Sequence, residues 1–178
     1  MKHSILVAGI GNIFFGDDAF GSEVARALMQ RPLPEGVKVE DYGIRSYDLA
    51  YALMDGCDAI LIDAVPRGEP PGTLYWIEPD LAHLDGGEIP DGHSMNPVRV
   101  LQMVRSLAPA DGSGTGRIYL VGCEPFVLDS DDGWMGLSDC VQASVPRAIE
   151  MVESLIDDLL HDKDPIRPVL CGAAKEVS

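Results

Sequence analysis

The stretch ILVAGIGN at residues 5–12, with Asp17, Asp18 and Gly21 shortly after it, decides the fold of this chain. Its apolar start predicts a buried strand, its glycines predict a tight turn, and apolar residues at helical spacing over 20–28 predict a helix. In open α/β sheets, ligands bind outside the carboxyl ends of the strands. The two aspartates therefore stand where this class of fold places its chemistry.

The glycines do not match a dinucleotide site, which needs a third glycine three residues after the second. That position is Phe14, and no Gly-Lys-Ser/Thr follows to make a P-loop. A bound pyrophosphate would also lie at the helix N-terminus, where Asp17 and Asp18 would repel it. The ordinary role of acids at this place is an N-cap or a first-turn acid. Because one cap needs only one of them, we expect Asp17 to be the cap.

The composition fits one globular domain in the cytoplasm. The chain has 178 residues, of which 46% are hydrophobic, enough for a proper core. No apolar run approaches the ~20 residues of a membrane span, and we expect no signal peptide. The four cysteines form no Cys-x-x-Cys pair and are expected to be reduced, structural thiols. The net charge of −16 argues against nucleic-acid and membrane partners, because phosphate binding needs basic patches.

The hydrophobic pattern predicts alternating strands and helices, and hence a mostly parallel sheet in a three-layer α/β/α fold. The strands are expected at about 4–9, 37–42, 59–62, 73–77 and 117–122, and the helices at about 18–30, 47–54, 97–108 and 138–160. Pro146 should kink the last helix or start a second one with Ser144 as its cap. We expect a single domain over residues 1–160 and a flexible tail over 161–178.

Three ionisable residues, Asp18, Asp63 and His93, are candidates for one site. The two aspartates follow the first and third strands, which are neighbours if the strand order is 2-1-3. Right-handed crossovers then bring both carboxyl ends to one edge of the sheet. His93 belongs to the polar, glycine-rich loop 79–93, which could fold over that edge. Two carboxylates and an imidazole suit a divalent transition metal with open coordination positions.

Each candidate also has an ordinary structural explanation. Asp63 could cap the turn before Pro66, and His93 could bond to the backbone of its own loop. The carboxylates could also work without a metal, because like charges held close together raise one pKa and permit acid–base chemistry. No serine or cysteine stands in a nucleophile elbow, so a nucleophilic triad is not expected.

Five motifs in series resemble those of the nickel-iron hydrogenase maturation endopeptidases. The first is GIGNIFFGDDAFG, and the motifs lie at residues 9–21, 60–65, 71–74, 92–97 and 120–125. The similarity continues through 136–138 to the proline-containing last helix. It therefore covers roughly residues 5–160.

The resemblance implies a twisted five-stranded sheet between helix layers. It also implies an activity: removal of a short C-terminal peptide from the hydrogenase large-subunit precursor after nickel insertion. The metal ligands of the family fall on Asp18, Asp63 and His93, which would serve as both metal-binding and catalytic residues. We expect nickel to arrive with the precursor rather than as a permanent cofactor, so that the enzyme tests for insertion before it cuts. We also expect a cytoplasmic monomer.

The chain departs from the family pattern at two places. Ala19 stands where glycine is frequent, and residues 43–46 (GIRS) replace a Gly-Gly-Thr turn. The resemblance implicates this turn in the choice of substrate, so Arg45 either contacts the precursor or is an ordinary surface arginine. Two rival functions also remain at this point: a non-catalytic nickel-binding chaperone, and a nucleotide-binding α/β enzyme.

Overall fold

The computed structural model describes residues 4–80, 97–107, 114–128 and 134–165. These residues form five strands, four α-helices and a 3-10 helix at Gly16–Ala19. The strands are β1 Ile5–Ile10, β2 Val37–Gly43, β3 Asp58–Ala64, β4 Leu74–Ile77 and β5 Ile118–Cys123. The helices are α1 Phe20–Met29, α2 Ser46–Leu53, α3 Pro97–Leu107 and α4 Asp139–Leu160.

The strands form one sheet in the order β2-β1-β3-β5-β4. All neighbouring pairs are parallel except β4 with β5, which is antiparallel. The predicted mostly parallel sheet and the 2-1-3 order of its first strands are thus confirmed. In the register, Gly9 of β1 lies beside Ile62 of β3, so the carboxyl ends of these two strands are adjacent.

Helices cover both faces of the sheet. Alternate strand residues pack against α1 and α4 on one face and against α2 and α3 on the other. Every residue of β1, β3 and β5 is buried, which explains why these strands are mainly apolar rather than alternating, apart from the aspartates near the two ends of β3. Within the described residues, no helix is long and apolar enough to cross a membrane.

Helix α1 lies very close to the sheet because of two glycines. A Cβ atom at Gly21 would lie 2.0 Å from the carbonyl oxygen of Ile62 and 2.2 Å from that of Ile10. A Cβ atom at Gly9 would lie 2.4 Å from the carbonyl oxygen of Gly21. Only glycine allows this approach. The glycine that brings helix and sheet together is therefore Gly21, and not a residue at position 14 as in dinucleotide sites.

Helix α4 is continuous through Pro146, so of the two predicted alternatives, a kink or a second helix, the second helix is wrong. Ser144 does not cap a helix: its hydroxyl donates to the carbonyl oxygen of Val141 at 2.7 Å. The apolar face of α4 is buried on both sides of the proline, and this packing holds the two halves together. The predicted tail begins at His161, but residues 166–178 lie outside the described part, as does most of the loop 79–93.

Candidate active site

Asp18 lies in the 3-10 helix between β1 and α1, and the glycine turn folds around it. Gly11 has a φ of +146°, and a Cβ atom there would lie 1.8 Å from the carbonyl oxygen of Asp18. The Asn12 main-chain N–H donates to Oδ2 of Asp18 at 2.9 Å. Burial raises the pKa of Asp18, and the Asn12 hydrogen bond partly opposes this rise. The turn therefore presents a half-buried carboxyl group at the sheet edge.

Asp63 is the penultimate residue of β3 and is only 2% exposed. Burial raises its pKa well above the usual value, the Asp18 carboxylate raises it further, and the Ala64 main-chain N–H opposes both effects. The register places the carboxyl ends of β1 and β3 side by side, as the strand order predicts, and the effect of Asp18 on the Asp63 pKa agrees with this placement. A position inside the strand is at odds with the alternative that Asp63 caps the turn before Pro66.

The pair can act in two ways. Two ionised carboxylates in a buried setting repel each other, so a divalent cation that joins them would relieve an unfavourable charge arrangement. Carboxylate oxygens are suitable donors for such a cation. Alternatively, one carboxyl stays protonated and exchanges protons with a substrate or water. Among the described residues, no group of three histidine, cysteine or acidic side chains could hold a metal. His93, the predicted third ligand, lies outside the described residues.

Asp17 is not an N-cap, and this expectation from the sequence is wrong. The 3-10 helix has no side-chain cap hydrogen bond. Asp17 is fully buried, and its carboxylate accepts hydrogen bonds from Phe126, Val127 and Ser138. These partners lie between 109 and 121 positions later in the chain. Capping rules concern neighbours in sequence, so they could not have found these partners.

Arg45 is half exposed, and its guanidinium donates to the main-chain carbonyls of Asp41 at 2.6 Å and Tyr42 at 3.3 Å. It also lies 3.5 Å from the Asp48 carboxylate. These contacts tie the start of α2 to the end of β2. They give Arg45 a structural role and leave contact with a precursor as an expectation.

The cysteines in the described residues are free thiols: Cys57, Cys123 and Cys140. Cys123 is buried at the end of β5, and burial raises its pKa to about 11. A thiol that stays protonated at neutral pH is a poor nucleophile. Cys123 is thus a packing residue, as the sequence predicts, and the fourth cysteine, Cys171, lies outside the described residues.

Large apolar side chains are exposed around the candidate site. They belong to the segments after β1, β2 and β5, and we call them the apolar edge: Phe14, Phe15, Ile44, Tyr47, Phe126, Trp134 and Met135. Phe14 is 60% and Phe126 68% exposed. Hydrogen bonds from Gly16 N–H to the Trp134 carbonyl and from Phe126 N–H to Asp17 bring two of these segments together. Clustered apolar exposure of this kind marks an interaction surface.

Comparison with known proteins identifies the class. The family model of HycI hydrogenase maturation proteases matches residues 22–155. The F420 hydrogenase subunit delta of Methanothermobacter thermautotrophicus is 32% identical, over 83% of this chain and 91% of that protein. A putative hydrogenase maturation protease of Methanocaldococcus jannaschii is also 32% identical, over 85% of this chain and 95% of that one.

Solved structures agree with the sequence comparisons. The hydrogenase maturating endopeptidase HybD of E. coli superposes with a TM-score of 0.72 at 28% identity, covering 88% of this chain and 93% of that one. A hydrogenase 2 maturation peptidase from Thaumarchaeota archaeon SCGC_AB-539-E09 gives a TM-score of 0.64 at 28% identity, covering 86% and 97%. The fold and the family match thus define an α/β endopeptidase. The chain belongs to the hydrogenase maturation protease family, which favours the protease over both rival functions.

Proposed function

We propose that the protein removes the C-terminal extension of a nickel-iron hydrogenase large-subunit precursor after nickel insertion. In this proposal, nickel held by the precursor is bound through Asp18, Asp63 and His93. One observation supports the proposal: Asp18 follows β1 and Asp63 lies at the end of β3, two neighbouring parallel strands, and burial raises the pKa of both carboxyl groups. A cation delivered by the substrate would supply the charge that this pair lacks.

In this proposal, the raised pKa values of Asp18 and Asp63 would link metal recognition to catalysis. Without a cation, the pair disfavours having both carboxyl groups ionised. The arrival of nickel with the precursor would stabilise both carboxylates and hold the adjoining peptide at the edge. Nickel would then polarise the scissile carbonyl or activate water. Alternatively, nickel only positions the peptide, and a carboxylate acts as general base.

The apolar edge supports a macromolecular substrate. Its exposed side chains follow the carboxyl ends of β1, β2 and β5, and Asp18 and Asp63 lie at the carboxyl ends of β1 and β3. A peptide cleaved at this edge would have to pass over them, and burying aromatic surface there would contribute to binding. We therefore assign the apolar edge to contact with the precursor polypeptide beside its cleavage site.

The decisive experiment compares nickel-loaded with nickel-free precursor, with the product mass as readout. We expect shortening of the C-terminus in the loaded sample alone. Asp18→Asn, Asp63→Asn and His93→Ala should each abolish shortening. The control is Asp58→Asn, because Asp58 is also buried but pairs with Arg117 at the amino-terminal end of β3. Full processing by the Asp18 and His93 variants would overturn the site assignment. Tight nickel binding by the free protein without any shortening would indicate a chaperone instead.

A further inference from the structure

Asp17 is a fully buried carboxylate to which the proposed function gives no role. It accepts hydrogen bonds from the main-chain N–H groups of Phe126 at 2.8 Å, Val127 at 2.9 Å and Ser138 at 2.7 Å, and from the Ser138 hydroxyl at 2.8 Å. We propose that Asp17 is a positioning residue: its carboxylate fixes the turn that carries Asp18 and thereby sets how Asp18 faces Asp63. The inference rests on the proposed function for the role of Asp18.

Main-chain bonds join the same segments. The Gly16 N–H donates to the Trp134 carbonyl at 2.7 Å, and the Asp17 N–H donates to the Val127 carbonyl at 2.9 Å. Asp17 is therefore held through both its main chain and its side chain. Rotation of the 3-10 helix would break several of these bonds together, so the turn has one strongly preferred orientation.

Asp18 is fixed from the opposite side by the glycine turn. Its carbonyl lies so close to Gly11 that a Cβ atom there would be only 1.8 Å away. Its Oδ2 accepts the Asn12 main-chain N–H at 2.9 Å. Asp18 thus lies between the end of β1 and the Asp17 network. The position of its carboxyl group depends on both supports.

The number of donors explains why this position holds a carboxylate. Four donors meet two oxygens, and an ionised carboxylate offers about four acceptor sites. An asparagine of the same shape would turn its own NH₂ group toward at least one of these donors. A buried donor without an acceptor is costly, so the turn would shift to relieve the mismatch.

A purely structural role for Asp17 is the competing explanation, and a matched variant separates the two. Asp58 is also buried and accepts three hydrogen bonds from Arg117, through its main-chain N–H, Nε and Nη2. It lies at the amino-terminal end of β3, whereas Asp18 lies at the carboxyl-terminal edge of the sheet. Asp58→Asn should therefore cost stability without moving Asp18.

The experiment compares Asp17→Asn with Asp58→Asn by three measurements. Thermal unfolding should show that both variants are less stable than the wild type. Amide hydrogen exchange of Asn12, taken relative to the β1 amides, should accelerate only in Asp17→Asn. Precursor cleavage by Asp17→Asn should show kcat reduced at least about tenfold with KM changed less than about twofold, because misplaced catalytic groups slow the reacting step.

Wild-type exchange at Asn12 together with a kcat equal to that of Asp58→Asn would overturn the proposal. Should Asp17→Asn not fold, Ser138→Ala replaces it, since this change removes the hydroxyl donor and keeps the Ser138 N–H. It should produce smaller changes in the same direction. The exchange measurement uses the free protein, so it tests the role of Asp17 without any cleavage. If the wild type leaves the precursor uncut, that result refutes the proposed function and not the role of Asp17.

Discussion

At the scale of single residues, Asp63 shows that the fold disfavours the ionised form of a carboxyl group in the candidate site. Its carboxyl group is buried beside Asp18, which raises its pKa well above the value in the unfolded chain. A group whose pKa is raised by folding favours the native state while it is protonated. The contribution of this group to the free energy of unfolding is therefore fully present below its pKa in the unfolded chain, and it is lost as the pH rises through its pKa in the folded protein.

Asp63→Asn should raise the free energy of unfolding at pH 7, because it removes the cost of a buried charge and keeps an oxygen for the Ala64 N–H. The difference from wild type should vanish below about pH 4, where both forms are neutral. Urea unfolding from pH 3 to 8 with a chelator present would measure it. Asp58→Asn serves as the opposite control and should destabilise at pH 7, since Arg117 loses its partner. A less stable Asp63→Asn at pH 7 would contradict the expectation.

At the scale of elements, the close approach of α1 to the sheet places the Asp18 turn. Gly21 of α1 lies against main-chain carbonyls of both β1 and β3. Backbone atoms cannot move aside as a flexible side chain can. The helix itself would have to shift if a larger residue stood there, and the turn before it would shift as well.

We expect Gly21→Ala to destabilise the protein by about 3 kcal/mol, the upper part of the usual range for overpacking. The added Cβ atom would lie 2.0 Å from the Ile62 carbonyl oxygen. Denaturant unfolding measures the loss. Ala27→Gly in the same helix is the control and should cost only about 1 kcal/mol from helix propensity. Equal losses in the two variants would show that α1 can move away from the sheet without strain.

Helix α4 contains Pro146 in its interior, whereas prolines usually lie at the ends of helices. Pro146 has no N–H to donate to the Gln142 carbonyl, and both residues are exposed. We expect Pro146→Ala to stabilise the protein by about 1–2 kcal/mol, because the regained helix bond exceeds the added entropy of the unfolded chain. Urea unfolding measures this change. A destabilised Pro146→Ala would mean that α4 needs the shape imposed by the proline.

At the scale of the whole molecule, exposed apolar residues lie both at the carboxyl ends and at the amino ends of the strands. The apolar edge surrounds the candidate site, whereas Met29 and Leu33 lie between the end of α1 and the start of β2, at the other edge. Met29 is 49% exposed and Leu33 37% exposed. These two residues therefore provide a matched control for contact with the precursor.

Phe126→Ala and Phe14→Ala should each raise the concentration of precursor needed for half-maximal cleavage by about tenfold, the effect of losing ~1.4 kcal/mol of binding. Met29→Ala and Leu33→Ala should leave it unchanged. Initial cleavage rates over a series of precursor concentrations give these values. Equal effects at the two edges would remove the apolar edge from the substrate site.

Much of this architecture could be predicted from local sequence pattern. The bounds of β1 and β5 differ from the predicted ones by one residue, because the length of these strands follows from a continuous apolar run. The more polar β2 ends one residue later than predicted. Helix α1 begins at Phe20 rather than near 18, since residues 16–19 form a 3-10 turn. The sequence left open whether α4 breaks at Pro146, because the packing of both its halves on the sheet, which outweighs the local effect of the proline, is not a local property.

The sequence by itself determined the order of the elements, the α/β class and the choice of Asp18 and Asp63, because periodicity and motifs are properties of neighbouring residues. Only the tertiary structure decided that these two carboxyl groups interact, that Gly21 brings α1 onto the sheet and that Asp17 binds Phe126, Val127 and Ser138. The last of these contacts spans 121 residues. Such pairings depend on how the strands and helices assemble, and the pattern around either partner does not contain that information.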